Sequence, residues 1–397
     1  MTVFRPKDEQ ELAAIVQHAL EREEPLELVG GGSKRGLGRP LQTPHRLELA
    51  AFSGIRLYEP EELVLTAGAA TPLGEIEAAL DRANQMLAFE PGDWRELLGT
   101  TDATPTLAGV LACNLSGSRR IRQGAARDHF LGLKGVNGRG EAFKAGGRVV
   151  KNVTGYDLCK LMAGSYGTLA ALTEVTVKVL PRPEATRTVV LHGLDDATAL
   201  AAMTQTLNSA HEPSGAAHLP QGFSGKDKPA TMLRIEGPVP SVEARAASLK
   251  RELGGFGAAD LLGDEPCRTL WQSLRDAGPL AAPQDRARII WRVSIAPSAT
   301  PGFLVALRRA LDLRYFLDWG GGLVWLSVAD AEDGGARAIR GALGSGHATL
   351  IRASDALRAS VPVFQPQPAA VAALSERVKD SFDPKRILNR SRMYRGL

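Results

Sequence analysis

The feature that most constrains this chain is a glycine-rich segment at residues 146–181, GGRVVKNVTGYDLCKLMAGSYGTLAALTEVTVKVLP. In this segment Gly164 and Gly167 flank Ser165, one short helix after a TGYD turn. Glycine lets the backbone approach a flat ligand because it has no Cβ. The TEVTVKVL that follows alternates as a half-buried strand does. The segment therefore predicts a ligand-facing loop that leads into a strand, with a helix-ending turn as the alternative.

A second glycine-rich loop lies upstream at residues 26–40, LELVGGGSKRGLGRP. The apolar strand LELV runs into it, and successive glycine amides can form an anion nest suited to a pyrophosphate. The loop is not a Walker A motif, because Gly36 is followed by Leu37 and not by Lys-Ser/Thr. A dinucleotide fingerprint needs a helix after the glycines, but Pro40 and the strand-like HRLELA follow. Taken alone, the loop is also typical of a surface turn.

A third segment combines FEPGDW at residues 89–94 with TPTLAGVLACNLSGSRRIRQGAARD at residues 104–128. Its residues are mostly small, which makes a poor hydrophobic core but suits backbone that wraps around a cofactor. The order and spacing of the three segments favour one shared binding site.

The chain resembles FAD-binding proteins of the vanillyl-alcohol oxidase (PCMH) type, and most closely the family of glycolate oxidase FAD-binding subunits. The motifs behind this resemblance are VGGGSKRGLG, PGDWRE, TLAGVLACNLSGSRRIRQGAARD and KNVTGYDLCKLMAGSYGTLAALTE. FDPKRILNRSRMY at residues 382–394 resembles that family's closing FDPKGILNPGR, with Arg386, Arg390 and Ser391 as departures. The match covers residues 1–182 well and residues 375–397 fairly. In the middle of the chain only the general arrangement matches.

The resemblance implies an α+β fold. It places a PCMH-type FAD-binding domain of two α/β subdomains at residues 1–182 and an α+β cap domain at residues 183–360. A C-terminal segment at residues 361–397 is expected to pack back on the FAD domain. Two domains also suit the length, because 397 residues exceed one ordinary core.

Local patterns predict several elements within this frame. Strands and helices alternate after residue 187, and residues 210–229 are expected to form a turn-rich connection. Residues 71–87 predict a helix with Thr71 as N-cap, Pro72 at its first position and Glu75 closing a capping box.

The resemblance also implies FAD as the cofactor. Members of the family attach flavin through a His or Cys near the first glycine loop, or bind it non-covalently. This loop offers Ser33 and Lys34 but neither His nor Cys, so we expect non-covalent FAD. The residues expected to bind it are Gly30, Gly31, Gly32, Ser33, Lys34, Gly36, Pro91, Gly92, Thr106, Leu107, Gly109, Asn114, Ser116, Gly117, Gly124, Asp128, Gly155, Tyr156, Asp157, Gly164, Gly167, Thr168 and Leu169.

Catalytic residues are not assigned. Members that oxidise 2-hydroxy acids carry an H-x-G-D-G-N-x-H motif in the second domain, and the matching LDWGGGLVWLSVA at residues 317–329 lacks both histidines. Arg292, Tyr315 and His347 are available there for a carboxylate clamp or a proton acceptor. His129, beside the cofactor segments, is expected to be structural. The departure implies that the chain binds FAD without oxidising substrate itself.

The main hypothesis is an FAD-binding subunit of a heteromeric glycolate oxidase, which converts glycolate to glyoxylate, acting in electron transfer or assembly. The implied partners are a second, catalytic FAD-binding subunit and an iron–sulfur subunit. One alternative is a non-catalytic scaffold with a vestigial flavin fold. The other is a stand-alone FAD-dependent hydroxy-acid or alcohol oxidoreductase.

Composition excludes other classes of protein. A net charge of +4 does not indicate nucleic-acid binding, and no apolar run or signal peptide is evident. We expect a cytoplasmic protein that reaches the inner face of the membrane only through partners. The three cysteines lie far apart, which excludes an iron–sulfur cluster in this chain and suits a reducing compartment; no metal site is expected. Of the basic run at residues 119–127, at least two of four arginines are expected to be solvated.

Overall fold

The computed structural model describes residues 2–148, 155–220, 228–329 and 331–397. Residues 151–154 of the KNVTGYD motif lie outside these ranges, as do residues 221–227 of the expected turn-rich connection. Within the described ranges, no helix combines the length and apolar character needed to cross a bilayer.

The part of the chain up to residue 182 contains two main sheets and a small ribbon. Its strands are β1 (Thr2–Phe4), β2 (Leu26–Val29), β3 (His45–Glu48), β4 (Ile55–Glu59), β5 (Val64–Gly68), β6 (Gln85–Met86), β7 (Phe130–Asn137), β8 (Ala142–Gly146), β9 (Ala170–Lys178) and β10 (Leu180–Pro181). Its helices are α1 (Glu9–Arg22), α2 (Leu73–Arg82), α3 (Arg95–Leu98), α4 (Leu107–Cys113), α5 (Arg120–Gln123) and α6 (Leu158–Met162).

The two sheets differ in strand direction. The three-stranded sheet has the order β1-β3-β2 and is parallel, and the five-stranded sheet has the order β4-β5-β9-β7-β8 and is antiparallel. Strand β6 pairs with β10. The apolar face of α1, with Leu12 and Val16, shares a buried cluster with Leu26 of one sheet and Val136 of the other. Helix α1 therefore joins the two sheets.

The rest of the chain is built on one large sheet. Its strands are β11 (Ala185–His192), β12 (Gly215–Leu219), β13 (Ala230–Gly237), β14 (Ala259–Leu262), β15 (Ile289–Ser294), β16 (Leu313–Asp318), β17 (Leu323–Val328) and β18 (His347–Arg352). Its helices are α7 (Asp196–Leu207), α8 (Val239–Glu252), α9 (Asp264–Arg275), α10 (Thr300–Ala310), α11 (Ala336–Leu343) and α12 (Asp355–Ser360), followed by α13 (Ala369–Phe382).

This eight-stranded sheet is antiparallel, in the order β14-β11-β13-β12-β16-β17-β15-β18. Trp291 and Leu326 lie in the core on one face, while Trp325 and Phe316 lie in the core on the other. The second face packs on the first part of the chain, where Trp94 meets Trp325 edge-on with ring centroids 5.1 Å apart. The two parts therefore share one hydrophobic core.

The C-terminal residues return to the three-stranded sheet. The Leu26 N–H donates to the Ile387 carbonyl at 2.7 Å, and the Asn389 N–H donates to the Leu26 carbonyl at 3.0 Å. Residues 387–389 thus cover the outer edge of β2, which would otherwise be open.

Two expectations from local pattern are wrong. Thr71 is not the N-cap of α2, because its hydroxyl donates to the Gly68 carbonyl at 2.6 Å and the helix begins at Leu73 without a capping side chain. The Leu73 N–H donates instead to the Pro105 carbonyl at 2.9 Å, so no capping box through Glu75 is required.

The second wrong expectation is that residues 210–229 form a turn-rich connection. It contains the buried strand β12, which lies between β13 and β16 in the interior of the sheet. A Cβ on Gly215 would lie 2.8 Å from the Trp271 ring, so glycine is needed for the close approach of this strand.

Candidate functional site

The loop after β2 has a backbone that requires glycine at two positions. A Cβ on Gly31 would overlap the carbonyl oxygen of Thr104, whose N–H donates to the Gly31 carbonyl at 2.9 Å. Gly32 has a φ of +81°, in the left-handed region that side chains disfavour. The glycines therefore hold the loop against the segment at residues 100–106.

A cavity lies between this loop, α4, the turn after α6 and the C-terminal segment, and we call it the glycine-loop cavity. Its lining residues are Leu28, Val29, Gly30, Gly31, Gly32, Ser33, Lys34, Arg35, Leu49, Ala69, Ala70, Thr106, Ala108, Gly109, Ala112, Cys113, Met162, Ser165, Tyr166, Gly167, Ala170, Ala171, Leu172, Asn389 and Arg392. Four segments far apart in sequence thus meet around one space.

The structure brings eight of the residues expected to bind FAD to this cavity. They are Gly30, Gly31, Gly32, Ser33, Lys34, Thr106, Gly109 and Gly167. The others, which do not line it, are Gly36, Pro91, Gly92, Leu107, Asn114, Ser116, Gly117, Gly124, Asp128, Gly155, Tyr156, Asp157, Gly164, Thr168 and Leu169.

Several of these other residues organise the loop between α4 and β7. Asn114 accepts from the Arg127 N–H at 3.0 Å, and Ser116 accepts from the Ala126 N–H at 2.9 Å. Asp128 accepts from a backbone N–H of the same turn at 2.9 Å. These polar side chains therefore satisfy backbone groups of the loop that follows α4.

Residues near the start of α6 lie at the surface. The Tyr156 side chain is 92% exposed, and the Asp157 carboxylate caps α6 by accepting from the Lys160 N–H at 3.1 Å. In the described structure they precede α6, whereas Gly167 follows it and lines the cavity.

Lys34 supplies a cation to the glycine-loop cavity. Its ammonium group has one described hydrogen bond, to the neutral Ser33 hydroxyl at 3.2 Å. Burial lowers the pKa of Lys34 below its ordinary range. A half-buried ammonium that pairs with no carboxylate among the described residues, beside a loop of backbone amides, fits a phosphate group, so the residues present suit the pyrophosphate of FAD.

Cys113 brings a thiol to the same cavity from α4. Cys113 was not among the residues expected to bind FAD, although the third sequence segment contains it. Burial raises the pKa of the Cys113 thiol to about 11, so the thiol is protonated at neutral pH and is a weak nucleophile.

Asn389 and Arg392 were missed as candidate site residues. The Asn389 side chain accepts from the Leu28 N–H at 2.8 Å and donates to the Tyr166 carbonyl at 2.8 Å. Arg392 donates to the Arg35 carbonyl at 2.9 Å. The C-terminal segment therefore ties the glycine loop to the turn after α6, and the FDPKRILN motif is the signal that pointed to this region.

A buried charge cluster joins the two parts of the chain next to the third sequence segment. Arg119 donates to Glu90 and to Glu236, each at 2.9 Å, and Arg234 also donates to Glu90 at 2.9 Å. Burial alone would raise the pKa of Glu236, but the charges of Arg234 and Arg119 lower it to about 2. Two carboxylates and two guanidinium groups thus neutralise each other.

Two other arginines of the basic run are more exposed than Arg119. Arg122 and Arg127 have half-exposed side chains, as expected for a solvated face. His129, which was expected to be structural, is buried, and its Nε2–H donates to the Gln123 carbonyl at 2.8 Å.

Arg292, Tyr315 and His347 do not form one site. Arg292 lies on the sheet face that carries Trp325, whereas Tyr315 packs on the opposite face and donates to Asp196 at 2.7 Å. His347 is exposed at the start of β18. Among the described residues, no group of three or more His, Cys, Asp and Glu side chains is arranged to hold a metal ion.

Comparisons with known proteins agree with this geometry. A family profile described as an FAD binding domain matches residues 2–146. Glycolate oxidase subunit GlcE of Escherichia coli (strain K12) is 36% identical over 392 residues, which are 98% of this chain and 98% of that protein. A D-lactate dehydrogenase of Archaeoglobus fulgidus is 31% identical over 182 residues, which are 45% of this chain and 39% of that protein.

Solved structures share the fold at low identity. A 4-ethylphenol oxidase from Gulosibacter chungangensis has a TM-score of 0.70 and 13% identity, and the match covers 99% of this chain and 89% of that one. An alkyldihydroxyacetonephosphate synthase has a TM-score of 0.66 and 16% identity, with 98% and 76% covered. The α+β fold and the FAD cofactor predicted from the sequence are confirmed.

Proposed function

This chain belongs to the glycolate oxidase GlcE family of FAD-binding oxidoreductases, and on that basis we propose that it is the FAD-binding subunit of a heteromeric glycolate oxidase. The observation that carries the proposal is the 36% identity with GlcE over 98% of both chains. We further propose that it serves electron transfer or assembly, while a partner subunit oxidises glycolate to glyoxylate.

The proposed cofactor site is the glycine-loop cavity, with FAD held non-covalently. Lys34 and the amides of the loop after β2 would bind the pyrophosphate, and the Gly167 turn would lie along the flavin. Bound FAD would supply the ability to accept and release electrons. The protonated Cys113 thiol supports the non-covalent mode, because thiolate is the form that attacks.

The region that matches the histidine motif of substrate-oxidising relatives supports a non-oxidising role. Asp318 stands there, and it accepts from the Ser118 hydroxyl and the Trp319 N–H, each at 2.7 Å. Because both carboxylate oxygens are engaged and the side chain is 2% exposed, Asp318 is poorly placed to take a proton from a substrate hydroxyl.

The proposed partners are a second, catalytic FAD-binding subunit and an iron–sulfur subunit, because the cysteines of this chain are too dispersed to hold a cluster. We propose a cytoplasmic location with membrane contact only through those partners. The proposed domain limits remain residues 1–182, 183–360 and 361–397.

The test compares the purified chain with the reconstituted complex. We expect the chain alone to be yellow and to reduce neither its FAD nor an added artificial acceptor when glycolate or D-lactate is supplied. Reduction of the flavin by either acid would favour the stand-alone oxidoreductase.

A flavin-free variant separates the other two hypotheses. If this chain carries electrons, a complex built with Gly32→Val should assemble but lose glycolate oxidation. If it is only a scaffold, that complex should keep full activity. A Gly36→Ala complex is the matched control, because an added Cβ there meets only an ordinary contact at 3.9 Å.

A further inference from the structure

Tyr166, in the turn after α6, has a backbone conformation that favours glycine. Its φ is +55°, and the neighbouring Gly164 and Gly167 have φ values of +82° and +69°. A tyrosine is strained in this region, and such a conformation persists only where the surrounding structure fixes it. The Tyr166 N–H donates to the Ala112 carbonyl at 2.9 Å, and the Tyr166 carbonyl accepts from the Asn389 side chain at 2.8 Å. These bonds fix the direction in which the tyrosine side chain leaves the turn.

The Tyr166 ring lies where the glycine-loop cavity meets the second part of the chain. Tyr166 lines the cavity and also packs against both of the large buried clusters. Its ring meets the Phe364 ring edge-on, with centroids 4.9 Å apart, and Phe364 in turn lies 6.0 Å from the Tyr394 ring. The position of the phenol is therefore set by packing before any ligand binds.

The Tyr166 hydroxyl is a hydrogen-bond donor at this wall of the cavity. The backbone groups of Tyr166 are engaged, but within the described ranges no group of the protein hydrogen bonds to its hydroxyl. Burial raises the pKa of the Tyr166 phenol above its ordinary value, so the hydroxyl keeps its proton at neutral pH. FAD bound in the cavity would bring ring nitrogens and oxygens that can accept this proton in a hydrogen bond.

We propose that the Tyr166 hydroxyl donates a hydrogen bond to the isoalloxazine ring of FAD in the glycine-loop cavity and so raises the reduction potential of the flavin. The proposal rests on the proposed cofactor site and adds a residue that tunes the electronics of the cofactor. Reduction adds negative charge to the ring, and an O–H group bonds a charged acceptor more strongly than a neutral one. A donor that packing already holds in place needs no rearrangement when this charge appears.

The location of Tyr166 favours the isoalloxazine over the adenine at the other end of FAD. Lys34 and the loop after β2 would bind the pyrophosphate, which lies between the two ring systems. Tyr166 lies at the boundary between the two parts of the chain, and the functional groups of ligands bind preferentially at such boundaries.

The test is the midpoint potential of the full-length, FAD-loaded chain, measured by reduction in the presence of a reference dye. Tyr166→Phe removes the hydroxyl and keeps the ring against Phe364. We expect the potential to fall by about 30 mV, which is a tenfold shift in the reduction equilibrium of a two-electron couple. Tyr394→Phe is the matched control, because its hydroxyl donates to the Gln365 carbonyl at 3.3 Å, away from the residues that line the cavity. The control should keep the parent potential.

Fluorescence titration of the apo-protein with FAD gives a second measurement. We expect Tyr166→Phe to weaken the binding of oxidised FAD by less than tenfold, because a hydrogen bond to the neutral ring is the weaker one. A weaker affinity with an unchanged potential would mean that the hydroxyl contacts the adenine, the ribose or a phosphate, and would overturn the proposal.

Three other results would also overturn it. They are a potential that stays the same or rises in Tyr166→Phe, an equal fall in Tyr394→Phe, and complete loss of FAD from Tyr166→Phe. A parent chain that binds no FAD would instead refute the cofactor site itself. Neither measurement depends on whether the complex oxidises glycolate.

Discussion

Replacing Lys379 is the most severe test of how the C-terminal segment supports the glycine-loop cavity. Its ammonium group donates to the Asp383 carboxylate at 2.7 Å, to the Leu388 carbonyl at 3.1 Å and to the Thr168 carbonyl at 2.5 Å. The side chains of Lys379 and Asp383 are 3% and 0% exposed. One cation therefore joins α13, the end of the chain and the turn after α6.

Lys379→Met should lower the free energy of unfolding by about 3–5 kcal/mol, the usual cost of breaking a buried ion pair by removing one partner. The Asp383 carboxylate would remain buried, and within the described ranges its remaining donors are the N–H groups of Ile387 and Leu388 at 3.0 and 2.8 Å. Asp383→Asn in the same chain should recover part of the loss, because it removes the uncompensated charge.

Urea unfolding followed by tryptophan fluorescence, together with FAD content, measures both effects. Lys385→Met is the matched control, since Lys385 pairs with Glu23 at the exposed surface and its loss should leave the urea midpoint almost unchanged. A cost below about 1 kcal/mol for Lys379→Met, or a double variant as unstable as the sum of its singles, would refute the reasoning.

Three further predictions concern the cavity and its surroundings. Gly32→Val should abolish FAD retention, because φ at this position is +81° and the branched side chain would fill the loop. The control Gly36→Ala should keep FAD. Normal flavin absorbance in the valine variant would contradict the assignment. Asn389→Ala should weaken FAD binding about tenfold by releasing β2 from the turn after α6, and fluorescence titration of the apo-protein would expose an unchanged affinity. The pKa of Asp318 is raised by burial to about 6, so the folded state binds its proton more tightly than the unfolded chain and stability falls as pH rises through about 4 to 6. Asp318→Asn should therefore gain up to about 3 kcal/mol over the parent at pH 8 and nothing at pH 4, and equal gains at both pH values in urea unfolding would exclude this cause.

The glycine loops could be predicted from the sequence because what these loops require, a residue without a Cβ, can be read directly from the residue type. Only glycine fits the close contact at Gly31, and glycine adopts the left-handed backbone at Gly32 without strain, so the residue type itself marks the turn. Helices such as α8 and α10 were equally visible, because their apolar residues follow the helical period.

Strand β12 could not be predicted in this way. Its sequence, GAAHL, has little β-propensity, and its small residues are explained by neighbours distant in sequence, such as Trp271 against Gly215. Tertiary packing selects the conformation of this segment, so local pattern gave the wrong result.

The polar contacts of the site were hidden for a related reason. Asn389 pairs with Leu28 across 361 residues, and Arg119 pairs with Glu236 across 117. A single sequence does not show which side chains far apart along the chain form a hydrogen bond or an ion pair. The resemblance of the closing motif located the region but not the bond that each side chain makes.

The cover that residues 387–389 place on β2 has a consequence for how the protein is made. A ribosome releases β2 long before the segment that completes its edge and supplies Asn389 to the cavity, because Asn389 lies 361 residues after Leu28. If FAD binds in the glycine-loop cavity as proposed, its capture must wait until these residues have been translated. A nascent chain that stalls before residue 387 would stay colourless and would present an open strand edge to its neighbours, which makes it a substrate for chaperones or for degradation.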